Sequence, residues 1–303
     1  MSGRRPRGFL SLGWACVECA ATGRSEHRPT SAAYPDSVVQ RFNFSAGGSL
    51  GWRLSALRTP RPRKAPWKIV VITGAPSWAE YWAPTLAALP QDREMIVVDR
   101  PGFACSEPAT CVPDIAVQAR ALEPLLRTRP GQKLLLVGQS YGGAIAALMA
   151  PQAKRLGGLV LLSAYLGEPG PTARWLVGAG ARVLSVIPRD LRNAVIEVSG
   201  QRAQLASART ALGQIAAPVH MIHGDADDFA PLATARRFAA DAPTKTPVRF
   251  EVAAGADHFL ADGPAERLVD IIERCIPAAP LRPRWSWPRL FGTDAPALAR
   301  AGG

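Results

Sequence analysis

Between Lys133 and Met149 the chain reads KLLLVGQSYGGAIAALM. The apolar run Leu134 to Val137 has the length of a buried strand and runs into Gly138-Gln139-Ser140-Tyr141-Gly142. An Ala-rich apolar run with helical character follows. A strand that turns sharply into a helix brings the two so close that positions two before and two after the turn residue have no room for a β-carbon. The residue at the turn is itself strained. Gly138 and Gly142 meet that demand, and Gly143 lets the helix pass closer still. Gly-x-Ser-x-Gly alone is short enough to arise by chance. The strand before it and the helix after it give it weight.

Similar short apolar runs recur along the chain. Strands are expected at Lys68–Thr73, Met95–Asp99, Leu134–Gly138, Leu159–Ser163, Val219–His223 and Val248–Val252. Between them lie amphipathic or Ala-rich stretches, Trp78–Leu89, Asp114–Thr128, Ser140–Ala150, Gln201–Gln214, Pro231–Ala240 and Pro264–Cys275. Continuous apolar strands joined by helical crossovers predict an α/β class fold, a mostly parallel sheet with helices on both faces. VVQRFNFS and GWRLSALR, separated by a Gly-Gly turn, read as an antiparallel hairpin ahead of it. With 303 residues, 48% of them hydrophobic, one domain of about 240 residues with tails is expected. Its bounds are read as 37–276, with an extension over 1–36 and a basic, Pro- and Trp-containing tail over 277–303. The apolar stretch from Tyr165 to Ser199 interrupts the alternation. It reads either as a short helical lid insertion or as an ordinary core helix.

The formal charge of +12 suggests nucleic acid until it is divided along the chain. Residues 1–67 carry 11 Lys/Arg against 3 Asp/Glu, residues 277–303 carry 4 against 1, and residues 68–276 carry 21 against 20. The basicity sits in the ends. A nearly neutral middle argues against nucleic acid as partner, and the basic tails are read as solvated in preference to membrane-binding. Five cysteines, an odd number, suit a reducing compartment better than a disulfide framework. Cys16-x-x-Cys19 has no second pair or histidine cluster beside it. The start combines basic residues with a short apolar run, which Glu18 ends. A cytoplasmic location is therefore expected, with export or membrane association through the extension as the alternative. Nothing in the sequence speaks to oligomeric state.

In open parallel sheets, ligands bind at the carboxyl ends of the strands. A serine there needs a general base, and the base needs an orienting acid. Of the four histidines, His27 lies in the extension, His220 alternates into the sheet, and His223 ends a strand, where a structural role is expected. His258, in AAGADHFLADG, follows the strand VRFEV and so shares an edge with Ser140. For the acid, MIHGDADDFAP offers Asp225, Asp227 and Asp228, all of which also suit a solvated turn.

Here the chain resembles the small serine hydrolases of the α/β-hydrolase fold. In that family a late strand is followed by Gly-x-x-Asp-x-x-x-Pro, matched by Gly224, Asp227 and Pro231. The resemblance implies the acid role for Asp227, with Glu168 as the alternative, and the order Ser140, Asp227, His258 is the family's. VVDRPGFACS resembles another family turn, with Ala104 in place of a frequent glycine. VVITGAPSWAEYW carries Thr73-Gly74 where the family usually has His-Gly. The resemblance spans about residues 38–276. It implies an oxyanion hole built from the backbone N–H groups of Ala75 and Tyr141, and hydrolysis of an acyl bond through an acyl-enzyme. No cofactor or metal is called for. Serine at the elbow disfavours the dehalogenase and epoxide-hydrolase branches, which carry aspartate there. Trp78, Tyr81 and Trp82, with Trp175, Leu176, Val177, Val183 and Leu184, are expected either to wall an apolar pocket for a small-molecule acyl substrate or to belong to the core. Two other readings stay open: a ligand-binding protein without turnover, and a C–C hydrolase or perhydrolase using the same three residues.

Overall fold

The computed structural model describes residues 30–276 apart from 63, 246 and 261–264. The expectations for Cys16, Cys19, His27 and the C-terminal tail lie outside these residues. Eight strands form one sheet: β1 (Gln40–Ser45), β2 (Arg53–Arg58), β3 (Trp67–Ile72), β4 (Arg93–Val98), β5 (Lys133–Gln139), β6 (Leu156–Leu162), β7 (Val219–Gly224) and β8 (Arg249–Ala253). Their order across the sheet is β1-β2-β4-β3-β5-β6-β7-β8. The β1–β2 hairpin is antiparallel and joins β4 antiparallel, and every other pairing is parallel. All six residues of β3 are buried, because helices cover both faces of the sheet and leave it no polar side. One apolar cluster on each face makes the core, around Ile72, Leu136 and Ile145 on one and Val71, Val137 and Leu86 on the other.

The helices are α1 (Ala83–Ala88), α2 (Ile115–Leu122), α3 (Gly142–Met149), α4 (Pro171–Arg182), α5 (Arg189–Gly200), α6 (Leu205–Leu212), α7 (Leu232–Ala240) and α8 (Ala265–Arg274). Local chemistry sets their ends. Asp114 caps α2, its Oδ1 accepting from the N–H groups of Ala116 at 2.7 Å and Val117 at 3.2 Å. Pro124 then turns the chain into a 3-10 turn over Glu123–Leu126. The helix expected over Trp78–Leu89 is a 3-10 turn, Ala79–Trp82, followed by α1 with Pro84 in its first turn.

Two expectations need correction. A 3-10 turn at Thr30–Ala33 precedes the expected domain start at 37. Ser31 donates its N–H and hydroxyl to the Glu80 carboxylate at 2.6 and 2.9 Å, so polar contacts order a segment without apolar periodicity. The segment from Tyr165 to Ser199 holds two helices. The first, α4, ends at Arg182, and of its side chains only Ala173 is buried. The second, α5, was hidden because much of its inward face is polar. Asp190, Asn193 and Glu197 are buried there with Ala194 and Val198. Among the described residues, no helix is long and apolar enough to cross a membrane.

Candidate active site

β5 ends at Gln139 and α3 begins at Gly142, leaving Ser140 at the elbow with φ of 51°. A non-glycine residue in this region is strained. Backbone bonds of 3.0 Å fix it: Ser140 N–H donates to Leu162 C=O, and the Ser140 carbonyl accepts from the N–H groups of Gly143 and Tyr165. A β-carbon on Gly142 would lie 2.2 Å from the Ile72 carbonyl oxygen, and one on Gly138 would lie 2.7 Å from Gly143 Cα. The steric demand expected from the sequence is present.

Three strand ends converge here. His258, in the loop after β8, places Nε2 at 2.8 Å from Ser140 Oγ and Nδ1 at 2.9 Å from Asp227 Oδ2, in the loop after β7. A carboxylate can only accept, so Nδ1 carries the proton and the Nε2 lone pair faces the serine hydroxyl. Asp227 Oδ1 accepts from the N–H groups of Phe229 at 3.0 Å and Ala230 at 2.8 Å. Burial pushes the Asp227 carboxyl up, but hydrogen bonds from His223 and His258 outweigh it and hold the group well below the usual carboxylate range. Asp225 accepts from Gly255 N–H instead, and Asp228 from the Thr172 hydroxyl. Glu168 pairs with Arg202 at the surface.

His223 has a closer tie to this group than its place at a strand end suggested. Its Nε2 lies 2.6 Å from the Ala230 carbonyl and 3.2 Å from Asp227 Oδ2. Both neighbours are acceptors, so Nε2 carries the proton and Asp227 sits between two imidazoles. Gln139 was also missed: its Oε1 accepts from Gly74 N–H at 3.1 Å, tying the β3 exit turn to the elbow. Neither side chain has a periodicity or motif of its own that marks it. The one available signal is their position next to a glycine or serine of the turns.

A cavity of about 400 Å³ opens beside Ser140 and His258. Of the side chains named from the sequence, Trp78, Tyr81, Trp82 and Leu176 line it, together with Phe229 and Leu260. Trp175 does not. It is 62% exposed, because consecutive helical residues point about 100° apart and Thr172 and Leu176, four apart, take the inward positions of α4. Val177, Val183 and Leu184 are also absent from the lining: Val177 packs partly against the core, and Val183 is exposed. Ala75 lines the cavity, and Tyr141 precedes the first residue of α3. Among the described residues, neither N–H has a protein acceptor. Among the described residues that line the cavity, the carboxylates are Asp228 and Asp257, and Lys or Arg are not present. No group of three or more His, Cys, Asp or Glu among them has the arrangement to hold a metal ion.

Ala104, where a glycine is frequent, has φ of 43°. Its N–H donates to Asp190 at 3.0 Å and its carbonyl accepts from Arg189 at 2.6 Å, so α5 holds the strained residue in place.

Residues 68–201 match the family model described as alpha/beta hydrolase fold. Among curated proteins, none matches the sequence. Solved structures are similar at low identity. A haloalkane dehalogenase from Agrobacterium tumefaciens C58 superposes with a TM-score of 0.59 at 15% identity, covering 77% of this chain and 95% of that one. A thermophilic esterase from Thermogutta terrifontis gives 0.55 at 20%, covering 78% and 97%. A 2-hydroxy-6-oxo-6-phenylhexa-2,4-dienoate hydrolase from Rhodococcus sp. strain RHA1 gives 0.58 at 17%, covering 78% and 98%. Strand order, elbow, family-model match and structural likeness agree: this chain has the α/β-hydrolase fold.

Proposed function

We propose that the protein is a serine hydrolase that cleaves an ester-type acyl bond of a small, apolar substrate. The observation that carries this reading is the continuous relay from Ser140 Oγ through His258 to Asp227, with both hydrogen bonds under 3 Å. In it His258 takes the serine proton, the alkoxide attacks the acyl carbonyl, and the N–H groups of Ala75 and Tyr141 receive the oxyanion. His258 then gives the proton to the leaving group, and water hydrolyses the acyl-enzyme. Asp227 holds the imidazole in the tautomer this needs. Thr172 and Leu176 make α4 the cover of the acyl pocket.

The cavity wall supports the substrate class. Aromatic and aliphatic side chains dominate it, and its carboxylates stand without a lysine or arginine among the described lining residues. Burying an anionic acyl group there would leave a desolvated charge next to like charges. This favours a neutral acyl ester over a substrate of the dienoate kind named for the Rhodococcus hydrolase.

The test is a panel of p-nitrophenyl esters of graded chain length, with the hemisuccinate ester as the anionic member, run on wild type and Ser140→Ala. Neutral esters should turn over, the hemisuccinate at least about tenfold less well, and Ser140→Ala should lose about 10⁴-fold or more in kcat. Labelling of Ser140 by a fluorophosphonate separates this reading from a binding protein without turnover, which should not react. Parent-level turnover by Ser140→Ala would sink the assignment.

A further inference from the structure

Arg100 is fully buried although it carries a permanent charge. Its Nε donates to the Thr73 carbonyl at 2.9 Å and Nη2 to the Gly74 carbonyl at 2.8 Å. These are the two residues before Ala75, in the turn that leaves β3. Nη1 and Nη2 also make a two-pronged pair with Glu197 at 2.8 Å each, and Nη1 donates to Gln118 at 2.6 Å. The guanidinium lies between two rings, 4.8 Å from the centre of Phe103 and 4.7 Å from that of Tyr141. Glu197 is fully buried in α5, and its Oε1 also accepts from Gln118 at 2.6 Å. One turn on, Gln201 Nε2 donates to the Tyr141 carbonyl at 3.0 Å. The two backbone segments expected to receive the oxyanion, at Ala75 and at Tyr141, are thus both held from the α5 side, one through Arg100 and one through Gln201.

We propose that Arg100 and Glu197 are a positioning pair that sets the oxyanion turn against the nucleophile elbow, with α5 as the brace. Neither side chain lines the cavity itself, so the pair acts on the reaction indirectly, through the turn it holds. A planar guanidinium suits this task because one group reaches two carbonyls and a carboxylate at fixed angles, which an ammonium cannot do. The inference rests on the serine-hydrolase reading and deepens it: α5 belongs to the catalytic scaffold and does not open as a lid.

The test must separate positioning from stability, because removing one partner alone leaves a buried unpaired charge. The double variant Arg100→Met with Glu197→Gln removes both charges together. It should melt close to wild type and keep KM for p-nitrophenyl butyrate within about threefold, while kcat falls about 10²-fold, the scale of losing one oxyanion donor. Arg100→Lys, which keeps the charge, should lose about tenfold in kcat with little change in KM. It decides the matter should the double variant not fold. Parent-level kcat in a folded variant overturns the positioning role alone. A wild type that a fluorophosphonate leaves unlabelled overturns the hydrolase reading and this inference with it.

Discussion

At Ser140 a strained backbone, a short hydrogen bond and two missing β-carbons depend on one another. The positive φ lifts Oγ toward His258 Nε2, and the strand and helix can pass that closely only with glycine at 138 and 142. Gly142→Ala would drive a methyl group into the carbonyls of Ile72 and Thr73, 2.2 and 2.5 Å away. Urea unfolding should show a loss of about 3 kcal/mol, at the upper end of overpacking costs, because β3 backbone has to move. The three loop aspartates separate on the same scale. Asp227→Asn should cost about 10⁴-fold in kcat, since the amide favours the wrong imidazole tautomer. Asp225→Asn, which touches Gly255 N–H and not the relay, should stay within a few-fold of wild type in the same ester assay.

Among the elements, α4 and α5 are neighbours in sequence with opposite attachments. α4 buries only Ala173 and carries Trp175 at the surface. α5 is pinned by Asp190 accepting from Trp78 Nε1 at 2.6 Å, by Asn193 donating to the Gly102 carbonyl at 2.6 Å, and by Glu197 on Arg100. Local opening follows buried contacts. Amide hydrogen exchange should therefore run at least about tenfold faster across residues 171–182 than across 189–200, read by mass spectrometry on peptides from each. Equal protection of the two would contradict the division of labour between cover and brace.

For the molecule as a whole, the sheet that carries the relay holds a buried cation at its other end. Lys68, in β3, donates its Nζ to the carbonyls of Leu125 and Arg127 at 2.7 Å each. Burial lowers its pKa from 10.5 to about 8, with Glu94 opposing the shift. Between those values the unfolded chain keeps a proton on Lys68 that the folded chain has released, so the contribution of Lys68 to stability should rise with pH from about 8 to 10.5, while the buried thiol of Cys275, pushed up to about 11, acts in the opposite sense. The gain should reach about 3 kcal/mol. Lys68→Met should remove that contribution, so the stability of wild type relative to the variant should rise across the same range in paired denaturation curves.

The amino-acid sequence by itself determined the sheet, because each buried strand is a continuous apolar run bounded by loops. It also marked Ser140 and His258 as the candidate nucleophile and base, because glycine spacing and strand-end position single them out before any contact is known. Asp227 was singled out from Asp225 and Asp228 only through the family resemblance, and its contact with His258 belongs to the fold; the second imidazole at His223, the outward turn of Trp175, and the pairing of Arg100 with Glu197 in α5 were decided only by the tertiary structure. Arg100 and Glu197 stand 97 residues apart, and a buried charge is stable only with its partner in place. The residues that satisfy such groups carry no local pattern until the chain has folded around them.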